Sequence, residues 1–186
     1  MNKLRNFVSL EFILLSLYAL GAIYFSLLNF NLMALSLSLF CILGTVTLKF
    51  LLKKNLFRER MLYFTLQIFL FFSSFLGSSF NFYRIPNYDD FLHIWSGFIC
   101  TSIAWNVLLY FNKKINFSKY FIAIFLFMFS MGTASIWEIT EYLMDTFLGT
   151  TCQQGLIDTN IDMIDCLIGS IIMCSYYFKK MIKEYN

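Results

Sequence analysis

The chain has 186 residues, 59% hydrophobic and only 13% charged, with a net charge of +3 and a mean hydropathy of +0.69. A soluble domain carries roughly 25% charged residues, and a fold surrounded by water cannot hide this much apolar surface. Composition therefore excludes an ordinary soluble protein and points to a lipid bilayer as the solvent. The basic residues stand in short clusters between apolar runs, not on a stripe with interleaved stacking aromatics, which argues against nucleic acid as a partner.

A spanning helix needs about 20 mainly apolar residues. The first such run is expected at about Val8 to Leu28. Glu11 interrupts its start and no small-x-small cleavage site follows, so it reads as a retained helix rather than a secretory signal. Further spans are expected at about Leu32 to Leu52, Met61 to Phe80, Phe91 to Phe111, Tyr120 to Tyr142 and Ile161 to Phe178. No Pro/Gly/Ser linker or internal repeat divides residues 1–186, so one transmembrane domain is the natural expectation. The fold class is an all-α polytopic bundle of six helices.

Charge sets the expected direction. Lys3 and Arg5 precede the first span; Lys49, Lys53, Lys54, Arg58 and Arg60 lie between spans two and three. Lys113, Lys114 and Lys119 join spans four and five, and Lys179, Lys180 and Lys183 follow the last. Six spans with both termini in the cytoplasm put thirteen of the fourteen Lys and Arg residues on one side, with Arg84 alone opposite, as the positive-inside rule requires. The expected location is a bacterial cytoplasmic (inner) membrane, crossed several times.

The acids go the other way. Of eleven, only Glu11, Glu59 and Glu184 fall on the basic side. Asp89, Asp90, Glu138, Glu141, Asp145, Asp158, Asp162 and Asp165 fall at or just below the outer face, with the single histidine, His93, among them. Helical offsets place them on shared faces: Asp89, His93 and Gly97; Glu138, Glu141 and Asp145; Asp158, Asp162, Asp165 and Gly169. Gly97 and Gly169 allow neighbouring helices to approach closely just below the polar level.

An ionised carboxylate in a membrane interior is expensive, and several together repel. Shared protons, a bound cation or a basic partner must neutralise them, and Arg84 alone is too few. Asp90, Asp145 and Asp158 suit solvated helix ends as well as they suit a site. Glu138, Glu141, Asp162 and Asp165 lie within apolar segments and read as a buried site. His93, one turn from Asp89, reads as a ligand or proton carrier. Trp95, Trp105 and Trp137 are expected as packing or interface anchors. The five cysteines form no C-x-x-C pair, so neither a zinc site nor a disulfide framework is indicated.

The run Asp89-x-x-x-His93, Trp137-Glu138-x-x-Glu141, Leu148-Gly149-Thr150, Gln154-Gly155 and Asp158-Thr159-x-x-Asp162-Met163-x-x-Asp165 resembles the YjdF-like family of bacterial inner-membrane proteins. The order of Asp-x-x-x-His, Glu and Asp…Gly169 is similar, more distantly, to VanZ-like membrane proteins. The resemblance covers about Tyr88 to Gly169. Asp90 stands where the family usually has a basic residue, and Ile157 and Asn160 where it commonly has Trp and Gln. It implies a membrane protein and a site but supplies no reaction.

The leading functional expectation is a metal-dependent membrane hydrolase or transferase acting on a lipid or lipid-linked substrate. Glu138, Glu141, Asp162 and Asp165 would be oxygen ligands to Mg²⁺, Mn²⁺ or Ca²⁺, and His93, held by Asp89, a ligand or general base. An ion- or proton-coupled transporter and a non-catalytic ligand-binding module are the alternatives. Transport sites usually lie near the midplane in inverted repeats, and neither feature is visible here.

Overall fold

The computed structural model describes residues 2–54, 56–57, 60–111 and 117–185, with side chains from 10 to 182. Arg58, Glu59, Lys113 and Lys114 lie outside the described residues, as do the side chains of Lys3, Arg5, Lys183 and Glu184. Among the described residues the fold is wholly helical, and six helices are long and apolar enough to cross a membrane. The chain divides into two compact units, Met1–Pro86 and Asn87–Asn186.

The first unit holds α1 (Asn2–Leu27), α2 (Leu32–Lys53) and α3 (Arg60–Leu70). Asn31 starts α2 by accepting the amide of Ala34 at 3.1 Å, the usual way of satisfying a donor that the first turn leaves unpaired. Beyond α3 the helix widens to a π-helix over Phe71–Ser79. Ser78 and Ser79 there donate to carbonyls five residues back, on Ser73 and Ser74. Phe75 packs edge-on against Tyr18 with ring centroids 4.9 Å apart. Gly21 of α1 makes room for that ring, because a Cβ at Gly21 would run into it.

Glu11 is more than an interruption in α1. It is 6% exposed and accepts hydrogen bonds from Tyr63 of α3 and Lys49 of α2. Gln67 donates to the Tyr63 hydroxyl at 3.2 Å, and Thr45 donates to the Gln67 carbonyl at 3.0 Å. Each oxygen of the carboxylate has a donor and Lys49 balances its charge, which is the condition for keeping an ionised group inside a membrane. The network ties three helices together.

The second unit holds α4 (Tyr88–Phe111), α5 (Lys119–Leu148) and α6 (Leu156–Tyr185). Ser118 caps α5 by accepting the amide of Phe121, and Gly149, at φ +66°, ends it in the left-handed region. That conformation favours glycine because a side chain crowds the following carbonyl. Both α5 and α6 run past the apolar stretches expected from sequence, because caps rather than hydropathy decide where a helix stops.

α4 and α6 cross where Gly97 meets Gly169. A Cβ on Gly97 would strike the Cys166 carbonyl and the Ser170 amide, and one on Gly169 would strike the Ile94 carbonyl. Ser130 of α5 joins this crossing through a 2.7 Å hydrogen bond to Ser170 and a 3.3 Å bond to the Gly97 carbonyl. Toward the other end of the unit lies an apolar layer of Ala104, Trp105, Leu108, Ile122, Leu126, Tyr177 and Met181. Trp105 stacks on Tyr177 with centroids 4.8 Å apart. Large side chains such as Met128, Ile136 and Ile172 point outward. In water these would be a liability; against hydrocarbon they are the matching surface.

Candidate functional site

The site belongs to the second unit, at the end where α4 and α6 begin. Asp89 and His93 are one turn apart on the first two turns of α4, and Asp162 lies in the second turn of α6. The close glycine crossing brings these two faces together. His93 Nε2 is 3.4 Å from Asp89 Oδ1 and 3.7 Å from Asp162 Oδ1. The three ligand atoms lie within 4.8 Å of one another. Asp162 is only 2% exposed.

Both aspartates aim an oxygen at the same imidazole nitrogen. A neutral imidazole nitrogen offers one N–H or one lone pair, so it can serve one of them at most. A protonated ring, a proton held on one of the carboxyl groups or a cation facing all three atoms would each balance the arrangement.

Glu138 enters from α5. It is 6% exposed, and its Oε2 is buried with no hydrogen-bond partner. Its charged neighbours are His93, Asp158 and Asp89, so this unsatisfied oxygen belongs to the same polar centre. Glu141, one turn further along α5, is half-buried and has Glu138, His93 and Asp89 as charged neighbours. Asp165 shares His93 and Asp89 as charged neighbours and adds Asp90, and its Oδ2 is also buried and unpartnered. The tight group thus contains Asp89, His93 and Asp162. Glu138 and Glu141 approach it from α5, and Asp165 flanks it on the side of Asp90.

Two further acids have structural partners. Asp145 accepts from the Thr150 hydroxyl at 2.6 Å and from the amides of Cys152 and Gln153 at 2.8 and 2.9 Å. Asp158 accepts the Gln154 amide at 3.0 Å. Between them they shape the loop from α5 to α6. Trp137, 56% exposed, faces outward from the bundle.

Sequence reasoning passed over Ser130 and Ser170. A signal for both was present: Ser130 precedes Glu138 by two helical turns and Ser170 follows Asp162 by two, so each shares a face with a site acid.

Six apolar helices with an acid-and-histidine centre on the last three define a polytopic integral membrane protein. The chain belongs to the DUF2238 family of predicted membrane proteins, which matches residues 10–182. It is also similar to an uncharacterized protein of Thermotoga maritima, 32% identical over 115 residues, which are 60% of this chain. The matched stretch spans 58% of the length of that relative. No solved structure matches the chain.

Proposed function

We propose that the second unit holds a divalent cation and that the chain is a metal-dependent membrane enzyme acting on a lipid or lipid-linked substrate. One observation carries the reading: two aspartate oxygens converge on one imidazole nitrogen, near a buried glutamate whose Oε2 makes no hydrogen bond of good geometry and has only the Thr159 hydroxyl beside it. Adjacent ligands of an octahedral ion are about 3.0 Å apart around Mg²⁺ and about 3.3–3.7 Å apart around Ca²⁺. The separations of 3.4 and 3.7 Å are of that order, and oxygen-rich ligation with one imidazole suits Mg²⁺, Mn²⁺ or Ca²⁺. Asp89, His93 and Asp162, whose ligand atoms lie within 4.8 Å of one another, are the core ligands in this reading, and Glu138, outside that group, completes the set by turning its carboxylate toward the ion; Glu141 and Asp165 are neighbouring carboxylates that orient water or substrate. The cation would clamp a phosphate or make a bound water nucleophilic.

The place of the site at one end of α4 and α6 favours an enzyme over a transporter, because transport sites usually lie near the bilayer midplane. The basic residues favour an orientation that opens the site to the outer leaflet of a bacterial cytoplasmic membrane, with both termini inside. The family match and the motifs from Tyr88 to Gly169 support placing the chain in the YjdF-like group.

Thermal melting of the detergent-solubilised chain tests the reading. Mg²⁺, Mn²⁺ or Ca²⁺ should raise the melting temperature, through about 2.7 kcal/mol at a hundredfold excess over Kd, and a chelator should lower it. Glu138→Gln and Asp162→Asn should abolish the response. If melting ignores every divalent ion and stability instead rises on acidification, the acids hold protons and the metal reading falls. Uptake of radiolabelled Mn²⁺ into proteoliposomes would replace the enzyme with a transporter.

A further inference from the structure

The three helices that carry the site are tied together two turns away from it. Ser130 and Ser170 are fully buried. The Ser130 hydroxyl meets Ser170 Oγ at 2.7 Å and the Gly97 carbonyl at 3.3 Å, while Ser170 donates to the Cys166 carbonyl at 2.7 Å. Gly97 is one turn beyond His93, Ser130 two turns before Glu138, and Ser170 two turns beyond Asp162. The bond therefore touches each of the three helices on the face that bears its site residue.

α4 and α6 are already locked by the backbone contact of Gly97 with Gly169. α5 has no such contact, and Gly132, its nearby glycine, has no atom within 4 Å of where its Cβ would be. Apolar side chains at Leu126 and Ile122 hold α5 to the bundle, but they are non-directional and permit rotation about its axis. A helix turns 100° per residue, so a modest rotation swings Glu138 away from His93. α5 is also tied to α6 by Cys174 Sγ donating to the Ala123 carbonyl at 3.9 Å, toward the far end; nearer the site, the hydrogen bonds of Ser130 fix that angle.

We infer that Ser130 is a positioning residue, which through Ser170 and the Gly97 carbonyl sets the rotation of α5 that presents Glu138 to His93 and Asp162. The assignment rests on the site proposed above, but its geometry can be read without any metal.

His93 is the only histidine, so the full-length protein gives one imidazole spin system in ¹⁵N-edited NMR, and its Nε2 resonance is the signal followed. Without metal, Ser130→Ala should move that signal in the same direction as Glu138→Gln, and the double variant should move it no further. Ser130→Thr, which restores a hydroxyl, should return it toward wild type. Ser170→Ala breaks the bond from the α6 side and should reproduce Ser130→Ala, which covers the case of a poorly folded Ser130 variant. A His93 signal unchanged in Ser130→Ala and Ser170→Ala but shifted in Glu138→Gln overturns the positioning role. Additive shifts in the double variant overturn it too. Addition of Mg²⁺, Ca²⁺ and Mn²⁺ in turn then tests the metal separately: a wild-type signal that ignores all three defeats the cation site and leaves the metal-free comparison to decide Ser130.

Discussion

At the scale of single residues, the informative feature is the Glu138 side chain. A buried carboxylate among other carboxylates is costly, and an amide in its place removes the charge and its repulsion along with the ligand it provides. Glu138→Gln should leave a folded protein at least as stable as wild type when metal is absent, and should lose the gain that metal confers; paired melting curves with chelator and with Mn²⁺ check this. Asp162→Asn should lower Mn²⁺ affinity by more than about a hundredfold. Asp165→Asn, read as an outer-shell carboxylate, should lower it by only about 10–100-fold, as outer-shell partners do. Equal losses for the two would show that Asp165 is a direct ligand. Because protons compete for the same oxygens and imidazole nitrogen, Mn²⁺ stabilisation should shrink as pH falls.

At the scale of elements, helix contact depends on which glycines touch backbone. A Cβ at Gly97 meets the Cys166 carbonyl and the Ser170 amide, neither of which can turn aside, whereas one at Gly132 meets nothing within 4 Å. Gly97→Ala should destabilise by about 1–3 kcal/mol. Gly132→Ala should be neutral or stabilise by up to about 1 kcal/mol, the helix-propensity difference. Melting in one detergent compares them, and equal behaviour would mean that α4 and α6 do not cross at Gly97. The connection from α5 to α6 has its own keystone. Asp145→Ala removes the acceptor of three hydrogen bonds and should speed proteolysis between Gly149 and Gly155.

At the scale of the whole molecule, the claim to test is direction across the membrane. With basic segments retained inside, a cysteine introduced at Gln154 should react with an impermeant thiol reagent on intact cells, and one at Lys119 should react only after lysis. Labelling at 119 and protection at 154 would invert the topology and move the acid centre to the cytoplasmic face. Native Cys152, two residues from Gln154, must be replaced first.

The sequence by itself determined the class, the number of spans and the level at which the acids gather. Those properties depend on runs of apolar residues and on charge placement, which a linear chain displays directly. Helical offsets also picked out Asp89 with His93, and the glycines at 97 and 169, since a helix converts spacing into a face. Which faces meet was left to tertiary structure. It paired Asp162 with His93, set Asp165 on the Asp90 side and gave Asp145 and Asp158 to the loop, because convergence depends on how α4 and α6 cross and how α5 is rotated. It also disclosed the partners of Glu11 and the Ser130–Ser170 bond, whose members lie 22 to 52 and 40 residues apart. Hydrogen bonds between residues so distant in sequence leave no periodic trace; they exist only once the helices are packed.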